Sequence, residues 1–151
     1  MLIRGDRALT AARIMLDVAF HAGRAGTVPA ADLAARLGQA RRGLEPLLQI
    51  LARTGLLDSV RGPRGGYRLG RPARDITLAA IAAAMIEAEP GQPGETRGPA
   101  AALAAIAVGA WQAADAAAAE ALRGVTLEDL VRQAVAAGLR RPALEPLSYA
   151  I

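Results

Sequence analysis

The chain of 151 residues has no cysteine and no lysine, one histidine, one tryptophan, two tyrosines and one phenylalanine. Without cysteine there is no disulfide, no thiolate metal site and no cysteine nucleophile. The lone histidine, His21, argues against a histidine-built metal site or a catalytic triad. Also missing is a run of about 18 apolar residues free of glycine, proline and charge, which argues against a membrane span. The nearest approach is Pro99 to Ala114, rich in alanine, which drives insertion only weakly. Arg4, Asp6 and Arg7 precede the first apolar stretch and Asp17 interrupts it, a poor signal peptide. These absences lead us to expect a soluble, cytoplasmic protein. No nucleophile–base pair or metal set is visible, so an enzyme is not expected. Glu87 and Glu89 read as surface charges.

What is present is unevenly placed. Residues 36–74 hold nine arginines against Glu45 and Asp58, a net of +7, whereas residues 75–151 are net −4. Such asymmetry in a small chain favours a polyanion-binding face beside a face with another task. The basic segment contains Arg61-Gly-Pro-Arg-Gly-Gly-Tyr-Arg-Leu69. Its glycines and proline force a tight reversal between two strand-like stretches, Leu56 to Val60 and Tyr67 to Leu69. Glycine lets the main chain approach a ligand closely, and arginine forks match phosphate oxygens. The segment lacks the lysine–Ser/Thr ending of a nucleotide-binding loop. Tyr67 is expected to pack against its own domain.

The rest of the chain reads as helices. Asp6 or Thr10 opens the first, with Leu9, Ala12, Ile14, Leu16, Ala19 and Phe20 spaced for a buried face; Gly23 ends it and His21 suits its negative pole. Pro29 fits the first turn of a second helix with Leu33, Ala34 and Leu37 inward, closed by Gly38. A third carries Leu44, Leu47, Leu48, Leu51 and Ala52 and stops at Gly55. Two short helices around a glycine turn form a helix-turn-helix, and the hairpin that follows makes it winged. Thr77 caps a fourth helix with Leu78, Ile81, Met85 and Ile86 apolar; residues 89–99 read as a flexible loop. Ala100–Arg123 reads as a long alanine-rich helix whose larger residues, Leu103, Ile106, Trp111 and Leu122, line one stripe. Thr126-Leu-Glu-Asp129 is a capping box for a last helix ending near Gly138, before an extended tail, residues 140–151. The expected fold is therefore mainly α with a small β-hairpin: a winged helix-turn-helix over 1–75, then a helical region over 76–139.

In this order the elements resemble the Rrf-type winged-helix repressors, the bacterial family of IscR, NsrR and CymR. The resemblance covers roughly residues 5–135 and is strongest at Leu44-Glu45, Gly55-Leu56, Ser59 through Leu69, Ile76-Thr77-Leu78, Trp111 and Thr126 through Leu130. It implies a homodimeric DNA-binding regulator, usually a repressor, without enzymatic activity. The third helix, about 42–54, would enter the major groove of double-stranded DNA and the wing, 61–66, the minor groove. The long helix would pair with its copy through Leu103, Ile106, Trp111 and Leu122. Two related recognition elements want a palindromic operator. The expected DNA-binding residues are Arg41, Arg42, Arg53, Arg61, Arg64, Gly65, Gly66 and Arg68.

Two departures qualify the resemblance. Many members hold an iron–sulfur cluster on three cysteines between the fourth helix and the dimer helix. The matching stretch, about Gly91 to Ile106, has none, so no thiolate-ligated cofactor is expected. A small molecule, a partner protein or simply the protein's own concentration remain as signals. Relatives also carry Tyr-Leu-Glu-Gln in the third helix, where this chain has Gly43-Leu44-Glu45-Pro46. With Arg42 as N-cap, Pro46 would fall near the end of the first turn, giving a shortened or kinked start. A protein-interaction winged helix with weakened DNA binding is the alternative this substitution raises.

Overall fold

The computed structural model describes residues 5–22, 26–87 and 99–142. Six α-helices and one hairpin follow in order among them: α1 (Gly5–His21), α2 (Ala30–Leu37), α3 (Arg41–Arg53), β1 (Leu57–Val60), β2 (Gly66–Leu69), α4 (Leu78–Glu87), α5 (Pro99–Arg123) and α6 (Leu127–Ala136). A short 3-10 turn at Ala73–Asp75 leads into α4. The expected element order holds. The positions named at Gly23, in the loop 89–98 and in the tail from residue 143 lie outside the described residues.

The core forms around α1. Ile14, Met15 and Val18 are fully buried and share one cluster with Leu33 of α2 and with Leu44, Leu48 and Leu51 of α3. The same cluster takes Leu57 from β1, Ile76, Ile81 and Met85 around α4, and Leu127 and Val131 from α6. Burying each such side chain contributes about 1.5–3 kcal/mol. Leu9 departs from the expected inward face of α1: it lies near the exposed start of the helix, 62% accessible. Ile86, in the last turn of α4, is exposed for the same reason.

Helix ends are chemically specified. Pro29 is the N-cap of α2 and has extended backbone angles, so it precedes the first turn instead of lying in it. Gly38 closes α2 in the left-handed conformation. Gly55 does the same after α3, with φ of 74°. The Leu56 N–H then reaches back to the Leu51 carbonyl at 3.0 Å, and the chain leaves directly into β1. The Thr77 hydroxyl accepts from the Ala80 N–H at 3.1 Å and caps α4.

The start of α3 differs from expectation. Ala40 is the N-cap, so the helix opens ahead of Arg42 and runs 13 residues to Arg53. Pro46 is thereby the sixth helical residue, inside the helix. Its ring removes the N–H that would close onto the Arg42 carbonyl, a substitution that costs about 3 kcal/mol in a helix interior. The buried stripe of α3 offsets that cost.

An antiparallel bridge, Thr77 to Thr126, ties the starts of α4 and α6. Its hydrogen bonds run from Leu127 N–H to Ile76 O at 2.9 Å and from Leu78 N–H to Val125 O at 3.0 Å. The capping box at α6 is present: the Asp129 N–H donates to the Thr126 hydroxyl and the Thr126 N–H to the Asp129 carboxylate. These bonds from Thr126, first its backbone and then its hydroxyl, hold the Asp129 carboxyl below its usual range. A depressed carboxylate adds stability above its unfolded pKa of about 3.9 and loses it as pH falls through the lower folded value. Thr126→Ala removes this cap and should lower the urea midpoint of unfolding near neutrality. Urea titrations repeated in acid should show that deficit shrink once Asp129 is protonated; a deficit independent of pH would assign the effect elsewhere.

Candidate nucleic-acid interface

The buried stripe of α3, with Leu44, Leu47, Leu48 and Leu51, decides what the helix shows to solvent. Opposite it stand Arg42, Pro46, Gln49 and Arg53, all exposed and spaced four, three and four residues apart. At 100° per residue these four form one outer ridge. Arg41 lies beside the ridge and faces Glu45 at 3.7 Å, an exposed i,i+4 pair. Gln49 was not among the expected contact residues. Its position seven residues after Arg42 is the signal that identifies it.

Two exposed arginines tie α1 and α2 together. Arg36 of α2 grips Asp17 of α1 with Nε at 2.9 Å and Nη2 at 2.7 Å. This two-pronged bond, foremost among the causes, raises the Arg36 pKa further above its ordinary value. Asp17 also lies 3.5 Å from His21 Nδ1, which contacts the Asp17 carbonyl at 2.9 Å. Arg13 donates to the Leu37 carbonyl at the end of α2.

The wing is docked as well as folded. Its strands pair in register Leu57 with Leu69, Asp58 with Arg68, Ser59 with Tyr67 and Val60 with Gly66. On the other side Val28 bridges Tyr67 through two hydrogen bonds of 2.8 Å. The residue before the N-cap of α2 thus acts as a third, one-residue strand. Tyr67 is half-buried against the core, as its expected packing role requires. Gly66 lies where a Cβ would come within 2.4 Å of the Val28 carbonyl oxygen, and at Gly65 one would meet the Val60 oxygen at 2.6 Å. Both glycines are therefore required by contacts inside the chain. At the tip, the Thr27 hydroxyl donates to the Arg64 carbonyl at 2.8 Å. Thr27 is a second residue that sequence reasoning missed, because its partner is 37 positions away.

The basic residues divide into two groups. Arg42, Arg53, Arg61 and Arg64 are exposed and have no ion-pair partner among the described residues. Arg41 is engaged with Glu45, and Arg68 with Asp58 across the hairpin at 3.4 Å. Both of those pairs are largely exposed, where such bonds are worth little and exchange partners readily.

A different surface lies on α5. The helix is about 37 Å long by its rise, and Leu103 is 70% and Ile106 71% accessible. Trp111 and Val108 are exposed too, whereas Leu122 is half-buried in its own chain. By length and composition alone, Ala101–Arg123 is apolar enough to cross a membrane. Gly109 interrupts its apolar run and Asp115 ends it, so it holds no stretch of about 18 residues free of glycine, proline and charge.

A helix-turn-helix with a docked hairpin behind it defines the winged-helix class. A profile of the Rrf2 family, described as iron-dependent transcriptional regulators, matches residues 5–133. The chain belongs to this family, which is one of regulators and not of enzymes. The HTH-type transcriptional regulator IscR of Photobacterium profundum is 48% identical over 84 residues, 56% of this chain and 46% of that protein. IscR of Serratia proteamaculans is 45% identical over 84 residues, 56% of this chain and 49% of its own length. The match therefore spans about half the length of these curated relatives. Among solved structures, T. potens IscR superposes with a TM-score of 0.70 at 28% identity, covering 91% of this chain and 92% of that one. CymR, the global cysteine regulator of B. subtilis, gives 0.66 at 29% identity, covering 88% and 98%.

The residues do not fit the iron chemistry in the family's description. The sequence has no cysteine, and among the described residues no three His, Asp or Glu side chains are grouped to hold a metal. A cluster ligated by cysteine thiolates is excluded by the donor set.

The wing's dependence on Thr27 can be measured without any ligand. Thr27→Val keeps the side-chain shape and removes the hydroxyl. Amide exchange at Gly65 and Gly66 should accelerate several-fold while amides of α4 are unchanged; uniform protection in both proteins would show that the bond holds nothing.

Proposed function

We propose that the chain acts as a homodimeric repressor that binds double-stranded DNA at a palindromic operator. The observation that carries this reading is the pairing of one outer ridge on α3 with a docked, glycine-tipped wing, both bearing exposed arginines without an ion-pair partner among the described residues. The ridge suits the major groove, with Arg41 and Arg42 at its leading end toward phosphate or guanine and Arg53 at its trailing end toward phosphate. The wing suits the adjacent minor groove, with Arg61 and Arg64 at the tip and the backbone of Gly65 and Gly66 close by. Arg68 joins them by exchanging Asp58 for phosphate. Residues 1–75 thus provide DNA contact and 76–139 assembly, with 140–151 as a tail. This is a division of labour laid over a shared core.

In the same reading α5 pairs with a second copy through Leu103, Ile106, Trp111 and the flank of Leu122. An exposed stripe of large apolar residues among alanines lets a second helix approach closely, and covering it removes the liability of a bare apolar surface. The family's task makes a second copy the natural cover, and the cytoplasm the place of action. The signal that modulates binding is a small molecule or a partner protein acting without a thiolate-held cluster. One observation favours a second reading, a protein-interaction winged helix: Pro46 interrupts the ridge, and two arginines are neutralised by Glu45 and Asp58.

Salt dependence separates the two. Binding carried by phosphate weakens linearly in log–log terms, with a slope of about −0.9 per contact. Arg61→Ala with Arg64→Ala should lower affinity for duplex DNA at least tenfold and reduce the slope by roughly 0.9 per lost contact. Equal affinity and slope in the double variant would remove the wing from the interface, and no duplex binding at low salt would favour the second reading. For assembly, Leu103→Glu or Trp111→Glu should shift the mass measured by light scattering toward one chain; a mass still equal to two chains would place the interface off α5.

A further inference from the structure

Pro46 occupies the middle of the outer ridge of α3, between Arg42 and Gln49. It is exposed and belongs to no part of the core, so nothing inside the chain requires a proline there. Its side chain is three methylene groups with no donor and no acceptor. The ring also takes away the backbone N–H at that position. Gly43, one turn earlier, has no Cβ, and the space where one would sit is open for 4 Å. The result is a clear apolar facet framed by a guanidinium on one side and an amide on the other. From Arg42 to Gln49 the ridge rises about 10 Å, close to three base-pair steps at about 3.4 Å each.

A facet of this kind has one partner among the base edges of the major groove. Guanine, cytosine and adenine present only donors and acceptors there, which an apolar ring would desolvate without compensation. Thymine alone adds a methyl group. Resting on the reading of α3 as the groove-entering helix, we infer that Pro46 is a specificity-determining residue that reads the 5-methyl group of a thymine in each half-site. Arg42 and Gln49 flank it and fix the register. Gly43 and Pro46 together then give the helix an apolar reading position between two polar ones.

The test begins with selection of bound duplexes from a random pool by the purified chain. Each thymine of the enriched half-site is then replaced singly by uracil, which removes the methyl group and leaves every hydrogen-bonding atom. Burial of one methyl-sized group corresponds to about a fourfold change in affinity. The wild type should lose about fourfold per half-site at one thymine position and nothing at the others. Pro46→Gly, which costs a helix less than proline and carries no side chain, should bind the thymine and uracil duplexes within a factor of about two. Pro46→Gln should move the preference at that base pair toward adenine, which glutamine contacts through two hydrogen bonds. Three outcomes overturn the inference while leaving DNA binding intact. The first is an enriched half-site without thymine; the second is indifference of the wild type to uracil at every position. The third is a Pro46→Gly variant as sensitive as the wild type. Absence of any enriched sequence, with no binding at low salt, overturns the proposed function itself and this inference with it.

Discussion

The structure rests on the burial of one helix. The inner face of α1, with Ile14, Met15 and Val18 fully buried, is packed by α2, α3, α4, α6 and β2. Every functional element is positioned by its distance from that face. The hydrogen-bonded grip of Arg36 on Asp17 and the reach of Arg13 to the Leu37 carbonyl add direction to what burial alone leaves free to slide. Apolar contact is non-directional; the Arg36 fork and the single Arg13 bond are directional links between α1 and α2. α3 packs on both helices.

The wing obeys a second constraint, set from outside its own sequence. Two strands of four residues make a marginal sheet. Here the hairpin gains a third strand one residue wide at Val28 and a hydroxyl clamp from Thr27. Both come from the segment that also launches α2. The wing and the helix-turn-helix thus share a joint at Thr27 and Val28. The absence of a side chain at Gly66 allows that joint to close. A glycine-rich tip that looks suited only to a ligand is in large part a requirement of internal packing.

The chain divides its surface by chemistry. Arg42 and Arg53 on α3 and Arg61 and Arg64 at the wing tip are exposed with no ion-pair partner among the described residues, and large exposed apolar residues lie on α5. The helices between them, α4 and α6, belong to the α1 core and are joined at their starts by the Thr77–Thr126 bridge. α5 packs on α4, and α4 packs on α1, so the exposed apolar helix is joined to the core through α4.

Much of this was legible along the chain. Element order, the capping residues Thr77 and Thr126, the left-handed glycines at Gly38 and Gly55, and the wing itself follow from local rules, since helix periodicity and turn chemistry act over a few residues. The arginines of the interface were legible as types. Tertiary structure decided which of them are free. Arg68 and Arg41 are engaged, by Asp58 and Glu45, whereas Arg42, Arg53, Arg61 and Arg64 have no ion-pair partner among the described residues. It also moved the start of α3 to Arg41, exposed Leu9, and revealed Thr27 and Val28 as supports of the wing. The reason is range. Sequence alone determined which residues can turn, cap and bury, because those preferences belong to a residue and its near neighbours. Which face of α3 looks outward, and so leaves Pro46 exposed between Arg42 and Gln49, was decided only when residues tens of positions apart closed on a common core.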